Sequence, residues 1–167
     1  EFSRGYSTPF IWLVDGKKQI VMGGSLRIVG YDFETGRELW TVRGLSRVNC
    51  MTPAVTDDNT LIVAGWSAGG EPGDRIKMEP FADYAAQYDS DKNGTLELNE
   101  VSSSVALKTR YTQCDRDKDG HITRAEYDGF RGLFDQSRNA VLAIKPGCQG
   151  DATDTNTQWV FEKFTPF

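Results

Sequence analysis

The stretch Asp89-Ser-Asp91-Lys-Asn93-Gly94-Thr95-Leu96-Glu97-Leu-Asn-Glu100 decides how the chain is read, because a second stretch, Asp115-Arg-Asp117-Lys-Asp119-Gly120-His121-Ile122-Thr123-Arg-Ala-Glu126, repeats its plan. Both carry oxygen-bearing side chains at positions 1, 3 and 5, glycine at 6, an aliphatic residue at 8 and glutamate at 12. A hard divalent cation takes about 6–8 oxygens at roughly 2.3–2.6 Å, and a tightly wound loop supplies them by turning alternate side chains inward. Gly94 and Gly120 stand where the chain must turn sharply. Thr95 and His121, at position 7, offer backbone carbonyls; Glu97 and Thr123, at position 9, act through water; Glu100 and Glu126 close the sphere with both carboxylate oxygens. The candidate ligands are Asp89, Asp91, Asn93, Thr95 and Glu100 in one loop, and Asp115, Asp117, Asp119, His121 and Glu126 in the other.

Helical patterning flanks both loops. Phe81, Tyr84, Ala85 and Tyr88 recur at i, i+3, i+4 and i+7 before the first. Tyr127, Phe130 and Phe134 form a stripe after the second, and Leu107, Tyr111 and Cys114 share a face between them. Every diagnostic position of the EF-hand calcium loop is thus filled twice, and calcium at two sites is the expectation. Leu96 and Ile122, at position 8, are expected to meet in a short β contact. Only 14 residues separate the loops, so the helices between them must be short or fused, which puts standard pairing in question. The acids stand at positions 1, 3, 9 and 12 in the first loop and 1, 3, 5 and 12 in the second. Position 5 touches the ion directly, so the second loop is expected to bind more tightly.

Working outward, the loops lie in an acidic helical block, residues 71–139, set inside a β-patterned chain. From Glu79 to Asp128 there are 11 acids and 6 bases; the remainder carries 13 of each, so the net charge of −5 sits between these two residues, inside the block. Outside it, short apolar runs (Phe10 to Val14, Ile20 to Met22, Leu26 to Val29, Leu39 to Val42, Leu61 to Ala64, Ala140 to Ile144, Gln158 to Phe161) alternate with turn residues. Thr-Pro followed by an apolar residue begins at 8, 52 and 165, at intervals of 44 and 113, and removing the 69 residues of the block restores the interval of 44. Arg27–Asp32 likewise aligns with Ala140–Lys145 across 113 residues. Repeats of about 40–50 residues built from short strands indicate four-stranded propeller blades; a β-sandwich with coincidental triplets is the alternative.

Tyr31-Asp-Phe-Glu-Thr-Gly-Arg-Glu-Leu-Trp40 resembles the docking motif of the quinoprotein-type (PQQ-like) β-propeller repeat, with Thr35-Gly36 at a turn and Trp40 as a broad packing surface. In the second copy the Asp is Lys145 and Trp159 is the surviving mark. The resemblance implies a mostly β fold: a partial β-propeller of about two four-stranded antiparallel blades (residues 1–70 and 140–167), with an α-helical EF-hand pair (71–139) inserted in the second blade. Propellers close with about 4–8 blades, so on this reading the chain is a fragment. Trp12, Trp66 and Phe161 are expected in the propeller core.

The remaining features bound function. No apolar run approaches the roughly 20 residues of a membrane span, no basic-then-apolar leader is visible, and at net −5 nucleic acid is not an expected partner. Cys50, Cys114 and Cys148 show no CxxC and read as packing residues or free thiols; the single histidine, His121, excludes sites of several imidazoles and reads as a plain exposed side chain. Asp57-Asp58-Asn59 reads as a hairpin turn. No catalytic residue is assigned. The expected function is calcium binding on a non-catalytic scaffold, periplasmic or at the cell surface, whose partners are calcium and either a protein or the remaining blades. A piece of a PQQ-dependent dehydrogenase and a calcium-responsive sensor are the alternatives. The dehydrogenases require an Asp base, a coordinated calcium and cofactor-stacking residues, none assignable here, so PQQ is not expected in this fragment.

Overall fold

The computed structural model describes residues 5–70 and 77–162. The third Thr-Pro triplet, at 165–167, and the expected start of the insert at Glu71 lie outside them. Along the chain run β1 (Phe10–Val14), β2 (Lys17–Gly24), β3 (Arg27–Asp32), β4 (Glu38–Arg43), β5 (Ala54–Val55) and β6 (Leu61–Gly65). Then come α1 (Phe81–Tyr88), β7 (Leu96–Glu97), a 3-10 turn (Glu100–Ser103), α2 (Val105–Lys108), α3 (Tyr111–Cys114), β8 (His121–Ile122) and α4 (Arg124–Gln136). The chain ends on β9 (Ala140–Ile144), β10 (Gly150–Asp151), α5 (Thr153–Asn156) and β11 (Thr157–Phe161). Among the described residues sheet predominates over helix, and no sheet closes on itself. The chain divides into two compact units, residues 77–135 and the segments on either side of them.

The larger unit holds two sheets. One has the order β1-β2-β3-β4-β10, the other β11-β9-β6-β5. In each, the third strand in sequence is the one that the 113-residue alignment pairs with its counterpart: β3 in the first, β9 in the second. Alternation decides which side is buried. Trp12, Val14, Val21, Ile28, Trp40 and Val42 of the first sheet and Leu61, Val63, Ala140, Leu142 and Ile144 of the second form one core. Trp12 and Trp40 meet edge to face at 5.9 Å. Their indole N–H groups donate to Asn59 Oδ1 (3.0 Å) and Gln19 Oε1 (2.7 Å), so both aromatics are buried with their polar handles satisfied. Asn59 sits in the turn joining β5 to β6, at positive φ, where asparagine is well tolerated. Asp32 holds the β3–β4 turn by accepting from the N–H and hydroxyl of Thr35 (2.8 and 2.7 Å).

Two expectations are corrected. The first sheet is five-stranded, because the loop beyond Gly147 reaches back and adds β10 parallel to β4, with Ala152 N–H donating to Thr41 O. Trp66 and Phe161 are 37% and 45% exposed, unlike Trp12: β11 is an edge strand, and Phe161 lies on the face of its sheet turned away from the core.

The smaller unit is built of short helices about two loops. Phe81, Leu96, Leu107, Tyr111, Cys114, Ile122, Tyr127, Phe130 and Phe134 are buried; the two later stripes are buried as expected, whereas of the one before the first loop only Phe81 is, with Tyr84, Ala85 and Tyr88 half-buried. Tyr127 contacts Phe81 and Tyr84 at 5.6 Å each, and its hydroxyl donates to Glu79 O at 2.6 Å. The helices between the loops are short rather than fused: the 3-10 turn that begins on Glu100, α2 and α3 have four residues each.

Candidate metal centre

Each loop begins where a helix runs out. Asp89 follows α1 and its N–H still bonds Ala85 O at 3.0 Å; Asp115 follows α3 and bonds Tyr111 O at 2.9 Å. The chain then passes twice through the left-handed region, at Lys92 and Gly94 in the first loop and Lys118 and Gly120 in the second. A Cβ at either glycine would meet nothing within 4 Å, so what selects glycine is φ rather than space.

These turns aim backbone N–H groups at the carboxylates. Asp89 Oδ1 accepts from Asn93 N–H (3.1 Å) and Oδ2 from Gly94 N–H (3.0 Å). Asn93 Oδ1 accepts from the N–H and hydroxyl of Thr95 (2.8 and 2.7 Å). Glu100 folds back to accept from Ser90 N–H (2.7 Å), the Ser90 hydroxyl (2.8 Å) and Glu97 N–H (3.2 Å). In the second loop Asp115 Oδ2 accepts from Gly120 N–H (3.1 Å), Asp119 Oδ1 from His121 N–H (2.8 Å), and Glu126 from Arg116 N–H (2.9 Å) and from the N–H and hydroxyl of Thr123 (2.9 and 2.8 Å).

The result is two groups of converging carboxylates. One oxygen each from Asp89, Asp91 and Glu100 lie within 4.8 Å of one another, and so do oxygens of Asp115, Asp117 and Glu126. Asn93 and Asp119 brace the turns, and Asp119 stands outside the second group. Hydrogen bonding with the side chains of Glu97 and then Ser90 holds Glu100 down to about 2. Burial pushes Glu126 up, but the donors of Thr123, Arg116 and Asp117 outweigh it and keep the carboxyl below its ordinary range.

One atom stands apart. Asp115 is 7% exposed, and its Oδ1 is buried with no hydrogen-bond partner among the described residues. Leaving a buried acceptor unmatched costs about 1–3 kcal/mol, more for a charged group. Among carboxylates alone, nothing relieves it. A cation would.

The loops are also tied to each other. Leu96 pairs with Ile122 and Glu97 with His121 in an antiparallel two-stranded sheet, so the position-8 contact forms despite the short spacer. Beneath it the Tyr111 hydroxyl reaches Gly120 O (2.6 Å) and Leu96 O (3.0 Å), one carbonyl from each loop. Burial pushes this phenol up to about 12, so it stays a donor.

His121 is exposed, as expected, but its ring has a partner. Its Nδ1 lies 2.6 Å from Glu97 Oε1, and hydrogen bonding to that side chain raises its pKa. The same Glu97 oxygen accepts from the Thr95 hydroxyl and Asn93 Nδ2, so the position-9 carboxylate is engaged by protein donors in both loops. Sequence reasoning missed Ser90, this ring pair and the role of Tyr111. For Tyr111 a signal existed: a tyrosine on a buried face needs a partner for its hydroxyl.

The two buried thiols offer no competing chemistry. Cys50, Cys114 and Cys148 are free, and burial pushes Cys114 to about 12 and Cys148 to about 11, far from thiolate formation. No helix among the described residues is long and apolar enough to cross a membrane. No family model, curated protein or solved structure matches this chain.

Proposed function

We propose that this chain binds calcium through two EF-hand loops, carried by a β scaffold of the PQQ-like propeller type that serves as a binding surface and not as a catalyst. The observation that carries the reading is the buried, unmatched Asp115 Oδ1 inside a group of three carboxylates. Its donor set is all oxygen, which suits a hard cation, and the flexible geometry of calcium tolerates a loop better than the strict octahedron of magnesium. Asp89, Asp91, Asn93, Thr95 and Glu100 would hold one ion; Asp115, Asp117, Asp119, His121 (through its carbonyl) and Glu126 would hold the other.

The ion would supply cohesion, neutralising carboxylates that otherwise repel at close range. Weak sites, of about 10⁻⁴–10⁻³ M, stay filled in calcium-rich surroundings, which favours a periplasmic or cell-surface setting. The scaffold half of the reading draws on the two sheets, which place β3 and β9 alike.

Calorimetric titration of the chelator-treated protein with calcium tests this. Two binding events are expected, each adding stabilisation that approaches about 2.7 kcal/mol at a hundredfold excess over its Kd. No heat and no change in tyrosine and tryptophan emission would overturn the proposal.

A further inference from the structure

Asn93-Gly94 and Asp119-Gly120 fill positions 5 and 6 of the two loops, and of the sequence's asparagines Asn93 alone precedes a glycine. The two pairs differ in chemistry as well as charge. A backbone nitrogen can attack the side-chain carbonyl carbon of the residue before it, and glycine, lacking a Cβ, hinders that attack least. A neutral amide accepts such a nucleophile; an ionised carboxylate repels it. Asn93 and Gly94 are both exposed, and Gly94 has open space where a Cβ would stand.

The first loop sets the groups this reaction needs around that amide. Gly94 N–H donates to Asp89 Oδ2 at 3.0 Å, so the nucleophile's proton already faces a carboxylate base. Asn93 Oδ1, where charge develops as the nitrogen adds, accepts from the Thr95 N–H at 2.8 Å and the Thr95 hydroxyl at 2.7 Å, two donors placed as in an oxyanion hole. Asn93 Nδ2, the leaving nitrogen, is held by Asp91 Oδ2 and Glu97 Oε1 at 3.1 and 3.0 Å.

We propose that Asn93 is a site of self-modification in the metal-free protein, converted to aspartate or isoaspartate with release of ammonia. Gly94 N bonds to Asn93 Cγ as its proton passes to Asp89. The Cγ–Nδ2 bond then breaks, and ammonia leaves with that proton, closing a succinimide. Water opens the ring, its hydroxyl going to a carbonyl carbon and its proton to Gly94 N. Opening at Cγ leaves aspartate at position 5, as in the second loop. Opening at the main-chain carbonyl routes the backbone through Cγ, and the extra methylene of isoaspartate carries Gly94 out of position 6. The proposal rests on the calcium reading in one respect only: an ion held by Asp89 and Asn93 takes away both the base and the free amide oxygen, so calcium protects.

Ageing the intact chain in chelator, followed by peptide mapping with mass spectrometry, tests it through the amide-to-acid mass gain. Asn93 should convert ahead of every other asparagine. Asp89→Ala should slow the conversion by about a hundredfold, the low end of what a positioned general base contributes. Thr95→Val keeps the side-chain shape and one of the two donors, and should slow it by about tenfold; it decides the matter if far-UV circular dichroism shows that loss of Asp89 loosens the loop. Conversion at Asn93 no faster than elsewhere overturns the proposal, as does a Thr95→Val chain that converts at the wild-type rate. Saturating calcium should stop the conversion. An unchanged rate in protein that takes up calcium by calorimetry overturns the protection, whereas absence of uptake is a failure of the metal reading and leaves the rates in chelator to decide the modification.

Discussion

In the first loop both oxygens of Asp89 receive backbone N–H groups, from Asn93 and Gly94; in the second, Asp115 receives one, from Gly120, while its other oxygen is buried and unmatched. The twelve-residue pattern is the same and the backbone path nearly so. What differs is the helix that delivers the first aspartate. Of α1 only Phe81 is buried, whereas α3 buries both Tyr111 and Cys114 and carries Asp115 in with them. A sequence motif thus specifies where ligands point, and tertiary packing specifies how much an unanswered charge costs. The loop with the larger ligand-free penalty has more to gain from an ion.

The sharpest way to break this comparison is to remove the two aspartates separately. Asp115→Ala should weaken the second site by more than about a hundredfold, beyond the usual effect of losing an outer-shell group, and remove most of the calcium-dependent rise in melting temperature. Asp89→Ala should abolish the first site and leave most of that rise. Calorimetry paired with thermal melts reads both. The reverse order would mean that burial of Asp115 does not rank the sites.

How far the sequence foretold this division can be followed residue by residue. Ligand spacing was legible because a loop's geometry is local: glycine at position 6 and glutamate at 12 are demanded by the turn and the fold-back, whatever surrounds them. Trp40 was legible as a packing surface through the motif that ends on it, and it is buried. β10 was not, since Gly150 and Asp151 pair with strand residues more than 100 positions earlier, and two residues carry no periodicity. The exposure of Phe161 was hidden for a related reason: apolar character marks a face without saying what covers it. The unmatched oxygen of Asp115 depends on how Tyr111 and Cys114 pack, which no spacing encodes.

Tyr111→Phe comes next in size. It keeps the ring and removes only the hydroxyl that joins Gly120 O to Leu96 O. Loss of this hydrogen bond should lower stability by about 1–2 kcal/mol in a denaturant melt. Because each loop contributes one carbonyl, both calcium sites should weaken together. A loss confined to one loop would show that the hydroxyl serves that loop alone.

A smaller effect separates charge placement from burial. Asn93→Asp adds a carboxylate at position 5 of the first loop, and Asp119→Asn removes one from the second. Asp119 stands outside the close group of Asp115, Asp117 and Glu126, so these exchanges should change affinity only a few-fold, on the scale by which ligand charge tunes such loops. If they invert the order of the sites, charge at position 5 and not burial at position 1 sets the ranking.

The smallest expected effect concerns the contact that joins the loops at the surface. His121 and Glu97 lie 2.6 Å apart, and hydrogen bonding to the Glu97 side chain raises the histidine pKa in the folded state. A raised folded value means that the pair's contribution is complete below the ordinary histidine pKa of about 6.5 and is lost as pH rises through the raised one. In calcium-free protein, the His121 ring resonances should therefore titrate above the ordinary midpoint, and Glu97→Gln should return them towards it. The side chain is exposed, so the accompanying change in stability should be slight. The informative quantity is the coupling: Glu97 belongs to the first loop and His121 to the second, so a midpoint that moves with Glu97→Gln reports contact between the loops before any metal is present. A midpoint unmoved by the substitution would show that the carboxylate of Glu97 does not couple the loops, leaving that task to the short β pair and Tyr111.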